Sequence, residues 1–346
     1  MAQVGPASSI VLTLPNLPAG TTAVVLNLAA TQLQGAPSAY ESACPAAQAL
    51  GSCVSTSVLN VRAGFDIANE INVPVGADGQ VRLYNSEGSV DLIADLVGYL
   101  SAGYKAVGPM RVLDTRVGVG VPVGQVGPGA WVILSVPNMP VDPKAVVLNV
   151  TATQLQGAIA TFESVCPLAQ PLANCVSTPA LNVAAGVTIA NELIVPVGAD
   201  GQVRLYNEAG SVDLAVDLTG YLSAGYVAVG PTRVLDTLTG IGAPQAQVGP
   251  DGSLILTLAN LPVGTKAVVL NLTGTRLQGV TATTESACPA AQPLATCIAA
   301  PVLYVPAGAT IANEITVPVA ADGQVRLHNG AGSLDLSADL VGYYGG

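Results

Sequence analysis

Charge is scarce in this 346-residue chain: 10% of residues are charged, acids outnumber bases 22 to 11, and the formal net charge is -11. No cluster of Lys and Arg occurs, so nucleic acid is excluded as a partner, since phosphate binding needs concentrated positive charge. Aromatics are equally thin, with one Trp (Trp131) and two Phe, which argues against a sugar platform built on exposed rings. The chain has a single histidine, His328, so a His-based catalytic triad could exist in one place at most; an exposed strand position is its expected role. Half the residues are hydrophobic, yet Gly, Asn, Asp and Pro punctuate every apolar stretch, and no run reaches the length of a membrane span. A soluble protein is expected. The opening MAQVGPASS lacks the charged and apolar regions of a signal peptide.

What the chain does have is repetition. One pattern is written three times at a spacing of 122 residues without insertion or deletion: QVGP at Gln3, Gln125 and Gln247; AVVLN at Ala23, Ala145 and Ala267; DGQVRL at Asp78, Asp200 and Asp322; GY at Gly98, Gly220 and Gly342. A period of this length predicts three domains of common size, with boundaries at residues 1–100, 101–222 and 223–346. Residues 100–124 and 222–246 connect the copies and carry RVLDT at Arg111 and Arg233. Their ordered, apolar composition differs from a flexible Gly/Ser linker, and each is expected to dock as a strand against a neighbouring copy. Three copies share two such segments, so one copy, the first, is incomplete within the chain: either the fragment was cut at a domain edge, or the first copy takes a strand from elsewhere.

Each copy also holds one cysteine pair: Cys44 with Cys53, Cys166 with Cys175, Cys288 with Cys297. One even pair per repeat reads as three local disulfides and an oxidising compartment, whereas two Cys per copy leave a metal site short of ligands. Disulfides beside a missing signal peptide imply a processed or recombinant fragment of a secreted protein, with Met1 an added start.

Long helical periodicity is absent. Short β-branched runs bounded by turn residues recur every 8 to 12 residues, near 9–14, 22–32, 38–43, 56–62, 67–75, 80–85 and 89–97 in the first copy. The expected fold is all-β: three tandem antiparallel β-sandwich domains, jelly-roll or Ig-like, with one disulfide each. Odd-numbered apolar positions in 67–75 and 80–85 suggest a turn at Ala77, Asp78 and Gly79, with Gly79, Gly201 and Gly323 left-handed. Continuing that register through residues 86–88 places Arg82 opposite Asp91, and likewise Arg204 opposite Asp213 and Arg326 opposite Asp335, as cross-strand ion pairs.

Together these residues resemble a repeat of secreted and surface proteins of actinobacteria and some other bacteria. Its units open with a Pro-x-Arg-Val/Leu-Leu-Asp-Thr-Arg segment, pass through VVLNVTAT, and close with IAN, VPVGADGxVxLYN and GSVDLIADVVGY. Here these stand as PMRVLDTR from Pro109, AVVLNVTAT from Ala145, IAN at Ile67, VPVGADGQVRLYN from Val73 and GSVDLIADLVGY from Gly88. The resemblance covers nearly the whole chain and implies an accessory module, often tandem and sometimes beside cell-wall or polysaccharide hydrolases, without an agreed activity. The cysteine loop departs from that pattern. So does Leu238, where the first connector has Arg116, which puts docking of the second connector in question if that Arg supports it.

Recurrent acids are the remaining candidates for chemistry. Asp78 and its equivalents are explained by their turn, and Asp91 by Arg82. Asp91 and Asp95 share one strand face about 13 Å apart by strand rise, beyond the range of a glycosidase pair. Glu41 and Glu70, with Glu163, Glu192, Glu285 and Glu314, stay open as ligand or assembly positions, the alternative being hydrogen bonds to loop backbone. No Asp-rich calcium loop is present. Tyr104 and Tyr226 in the connectors are the surface candidates. The sequons at Asn149 and Asn271 lie inside strands and read as strand composition.

The expected function is a non-enzymatic, extracellular or cell-surface structural protein: a stalk, fibre or surface-layer subunit, or adhesive scaffold, without cofactor. It would associate with itself or with other surface proteins. The alternative is a carbohydrate- or cell-wall-binding module whose repeated shallow sites act through avidity.

Overall fold

A computed structural model describes residues 3–76, 78–101, 103–198, 200–319 and 322–345. The first copy forms β1 (Ser8–Thr13), β2 (Ala23–Gln34), β3 (Ser38–Pro45), a one-turn helix α1 (Leu50–Cys53), β4 (Leu59–Arg62), β5 (Ile67–Pro74), β6 (Gln80–Asn85) and β7 (Ser89–Leu100). All seven expected strands are present, and α1 occupies the loop closed by the Cys44–Cys53 bond.

The second copy adds a connector strand, β8 (Tyr104–Asp114), then β9 (Ala130–Ser135), β10 (Ala145–Gln156), β11 (Ala160–Pro167), α2 (Leu172–Val176), β12 (Leu181–Ala184), β13 (Ile189–Pro196), β14 (Gln202–Asn207) and β15 (Ser211–Leu222). The third repeats this with β16 (Tyr226–Asp236), β17 (Gly252–Thr257), β18 (Thr265–Gln278), β19 (Ala282–Pro289), α3 (Leu294–Cys297), β20 (Pro301–Pro306), β21 (Ile311–Pro318), β22 (Gln324–Asn329) and β23 (Ser333–Gly345). Disulfides Cys166–Cys175 and Cys288–Cys297 close the equivalent loops.

These strands fall into six small sheets, and this division corrects the expected fold class. In place of three β-sandwich domains, the described residues form an all-β protein of six small sheets. Strand spacing could not make that choice, because sandwiches, barrels and propellers all alternate short strands with turns at similar intervals. The sheet orders are β1-β6-β3-β4 and β5-β2-β7 in the first copy, β12-β11-β14-β9 and β13-β10-β15-β8 in the second, and β17-β22-β19-β20 and β16-β23-β18-β21 in the third. By contacts the chain forms two compact units, Met1–Ala224 and Gly225–Gly346.

Each copy draws one core from both of its sheets. In the first, Leu26 and Leu28 of β2 and Ile71 and Val73 of β5 pack with Leu59 of β4 and Val81 and Leu83 of β6. The run AVVLNLAA, apolar but for Asn27, makes β2 a central strand, hydrogen-bonded on both edges and buried along its first nine residues.

The register expected for the last three strands of each copy is also corrected. Gly79, Gly201 and Gly323 have φ of 63°, 62° and 63°, as a tight left-handed turn requires, while Ala77 lies outside the described residues. The strands on either side of that turn, however, belong to different sheets, and so do β6 and β7. Arg82 therefore does not meet Asp91. It donates to the carbonyls of Gln48 and Ala46, each at 2.7 Å, clamping the disulfide loop. Arg204 and Arg326 make the equivalent pairs of bonds to their own loops. A three-residue turn looks like a hairpin in sequence, but its chain crosses between sheets, and local spacing carries no record of that crossing.

Candidate functional site

The acids singled out from the sequence separate into two groups. Glu41, Glu163 and Glu285 lie on the inward face of their strands, and Glu41 sits between the core residues Ala39 and Ala43. All three are fully buried, and among the described residues neither carboxyl oxygen of any of them has a hydrogen-bond partner. Desolvation pushes the acids up to about 8, 8 and 9 respectively, so at neutral pH they are protonated core groups. They do not converge, and no group of three or more His, Cys, Asp or Glu that could hold a metal occurs among the described residues.

The second group lies in a polar row across one sheet. In the second copy the register sets Glu192 of β13 opposite Asn149 of β10, Asn149 opposite Asp217 of β15, and Asp217 opposite Arg111 of the connector strand β8. Directly opposed residues share a face, so the row is continuous from edge to edge. The third copy repeats it as Glu314, Asn271, Asp339 and Arg233. Glu192 faces the first copy within the same compact unit. It accepts the Asn72 backbone N–H at 2.6 Å and the Asn72 side-chain amide at 2.8 Å, and burial pushes it up to about 7. With Asn149 donating to the Ser57 carbonyl at 2.7 Å, this end of the row ties the first copy to the second.

At the other end the connector locks in. Arg111 donates to both Asp217 oxygens, at 2.7 and 3.2 Å, and to Asp114 at 2.6 Å. Such a bidentate pair is stronger and more directional than a single bond. Thr115 donates to Asp213 at 2.8 Å, and Arg116 holds the Asp114 carboxyl below the usual carboxylate range. The Tyr104 ring closes over Gly220, in space a Cβ would fill, and its hydroxyl donates to the Thr219 carbonyl at 3.3 Å. In the third copy Arg233 grips Asp339 at 2.7 and 3.2 Å, Thr237 donates to Asp335 at 3.1 Å, and the Tyr226 ring covers Gly342.

Three expectations are corrected here. Tyr104 and Tyr226 are not surface residues but buried anchors. Asp91, Asp213 and Asp335 accept from Gln3, Gln125 and Gln247, not from the strand arginines expected beside them. His328 is buried, its Nδ1 3.0 Å from the Ser253 hydroxyl. The second connector docks despite Leu238: its backbone N–H still caps Asp236 at 2.9 Å, as that of Arg116 caps Asp114 at 3.0 Å. The joint residues Arg111, Asp217 and Gly220 were missed as a set. Their sequence signal was partial: RVLDT recurs twice and the Asp-Leu-x-Gly-Tyr strand end three times, and neither says which strand lies beside which.

One cleft of about 350 Å³ opens beside the junction of the first two copies, lined by Tyr40, Asn60, Arg62, Glu87 and Thr188. No described helix is long and apolar enough to cross a membrane.

No family model matches the sequence, and no curated protein does. Among solved structures, one of Sulfolobus Turreted Icosahedral Virus aligns at 9% identity and a TM-score of 0.23, over 99% of this chain and 84% of that one. A triple jelly roll from an archaeal virus turret aligns at 9% and 0.25 over the same shares. The N-terminal CBM22 tandem domain of a Paenibacillus barcinonensis protein aligns at 10% and 0.21, over 71% of this chain and 94% of that one.

Proposed function

We propose that this chain is a non-enzymatic structural protein of an extracellular or cell-surface assembly, a stalk, fibre or surface-layer subunit or an adhesive scaffold. The observation that carries the reading is the connector joint. The chain leaves the last strand of one copy and at once completes the sheet of the next, as β7 into β8. Residues held constant across the copies serve cores, disulfide loops and these joints. The three disulfides fit an oxidising compartment. Electron microscopy and the native mass of the assembly test the reading: ordered filaments or arrays are expected, and a monodisperse monomer at every concentration counts against it.

A second reading, binding of wall glycan, is favoured by the polar cleft with Tyr40, Asn60, Arg62 and Glu87. Pull-down on purified cell wall, comparing wild type with Tyr40→Ala, tests it: retention that the substitution abolishes supports glycan binding.

A further inference from the structure

Each connector joint has a donor and an acceptor, and the first copy has the acceptor alone. The second and third copies pair β15 with β8 and β23 with β16, whereas the corresponding sheet of the first copy ends at β7. Among the described residues the outer edge of β7 carries one bridge, Val4 to Val90, and no strand lies along residues 93–100. Every residue of β15 after Ser211 is buried, while Ile93, Leu96 and Tyr99 of β7 are 46%, 46% and 53% exposed. An unpaired edge bearing apolar side chains is a template for another strand.

The open edge keeps each polar feature of the filled ones. Asp95 is the counterpart of Asp217 and Asp339, which grip Arg111 and Arg233, and it has no partner among the described residues. The Asp91 oxygen that corresponds to the acceptor of Thr115 in Asp213 is unused, the other being taken by Gln3. Gly98 corresponds to Gly220 and Gly342, over which Tyr104 and Tyr226 close, and a Cβ placed at Gly98 would meet nothing within 4 Å. Seat, anion and apolar surface therefore lie in the order and spacing of a strand of pattern Tyr-x6-Arg-Val-Leu-Asp-Thr. Both connectors of this chain that fit that pattern are already paired in their own copies.

We propose that the outer edge of β7 is a receptor for one extended strand of this pattern that lies outside residues 1–346. This is strand addition of the kind that gives affinity through main-chain hydrogen bonds and specificity through side-chain seats, with the Arg–Asp95 pair as the specificity contact. The proposal rests on the structural role above and names the chemistry of the partner in such an assembly.

The test uses the full chain and a synthetic peptide of residues 104–116. Saturable binding is expected, with new hydrogen-exchange protection across residues 93–100. Asp95→Asn, which removes no contact of the folded chain, should weaken binding about ten- to hundredfold, the range for loss of one charge-assisted bond. The peptide with Arg111→Ala should lose the same factor against wild type and almost nothing further against Asp95→Asn. Gly98→Ala, silent in thermal stability, should block the Tyr seat and abolish binding. Absence of binding, or protection confined to β15 and β23, overturns the proposal. Concentration-dependent self-association of the chain alone that Asp95→Asn abolishes assigns the strand to a connector of a second copy, and so overturns a donor outside residues 1–346. Filament formation without peptide binding would retain the structural role and reject this receptor, so the two fail separately.

Discussion

Glu41, Glu163 and Glu285 are carboxylic acids placed where a core residue belongs, and their raised pKa has a signed consequence. A group whose folded pKa of about 8 to 9 exceeds its unfolded value favours the folded state fully below the unfolded pKa, near pH 4.5. That contribution is lost as pH rises through the folded pKa. Thermal stability is therefore expected to fall between about pH 5 and pH 9. Replacing all three by Gln should flatten the profile, by about 1 kcal/mol or more per copy at the alkaline end, as scanning calorimetry would show. A profile as steep in the Gln variant as in wild type would assign the pH dependence elsewhere. Also at this scale, Arg111→Ala removes the partner of the buried Asp217 and should cost about 2 to 4 kcal/mol. Arg116→Leu should cost no more than about 1 kcal/mol, since Leu238 occupies that position in the third copy and its strand still docks. Denaturant titration of the two variants separates them.

The connector strand is held by three kinds of contact at once: backbone pairing, a charged clamp and a ring in a glycine seat. Gly220→Ala drives a methyl group into the Tyr104 ring, and Gly342→Ala does the same to Tyr226. Overpacking of this kind costs about 1 to 3 kcal/mol, and the expected outcome is faster hydrogen exchange in β8 or β16 with the rest of the sheet less affected. Gly98→Ala serves as the reference, because the same substitution at the same position of the repeat meets open space. Equal effects at all three positions would show that backbone conformation, not the tyrosine seat, explains the glycine. The disulfide loops are separate elements. Each bond spans nine positions of sequence and should contribute about 2.5 kcal/mol in the chain-entropy model. Reduction is thus expected to lower the melting temperature without abolishing the far-ultraviolet β signature, because the cores draw on both sheets of each copy without these loops.

At the scale of the whole molecule each connector strand belongs to the copy that follows it, and the first two copies are tied to one another. β8 starts immediately after the first copy ends and belongs to the sheet of the second, and the Glu192–Asn72 bonds tie those two copies into one compact unit. Cutting the chain after β8, at residue 116, should therefore impair the second copy, and cutting it within residues 101–103, which leaves β8 with the second copy, should spare it. Circular dichroism of fragments 1–116 plus 117–224, against 1–100 plus 104–224, decides this; equal folding of both pairs would show the connector to be dispensable.

Periodicity and composition were enough to specify the strands, the paired cysteines, the turn glycines and the connectors as ordered segments. Each of these depends on neighbours a few residues away or on the 122-residue repeat itself. Which strand lies beside which was not legible. The short turns before β6 and before β7 predict hairpins, but both cross between sheets, so Arg82 and Asp91 part company and the expected sandwich gives way to six small sheets. The same holds for Asp217, Arg111, Tyr104 and Gly220. As residues they are ordinary strand composition, and they become a joint when pairing across about a hundred positions sets them face to face. Local chemistry settles where a chain extends and turns. Burial and edge pairing, which act between distant segments, settle which tyrosine is an anchor and which strand edge is left open.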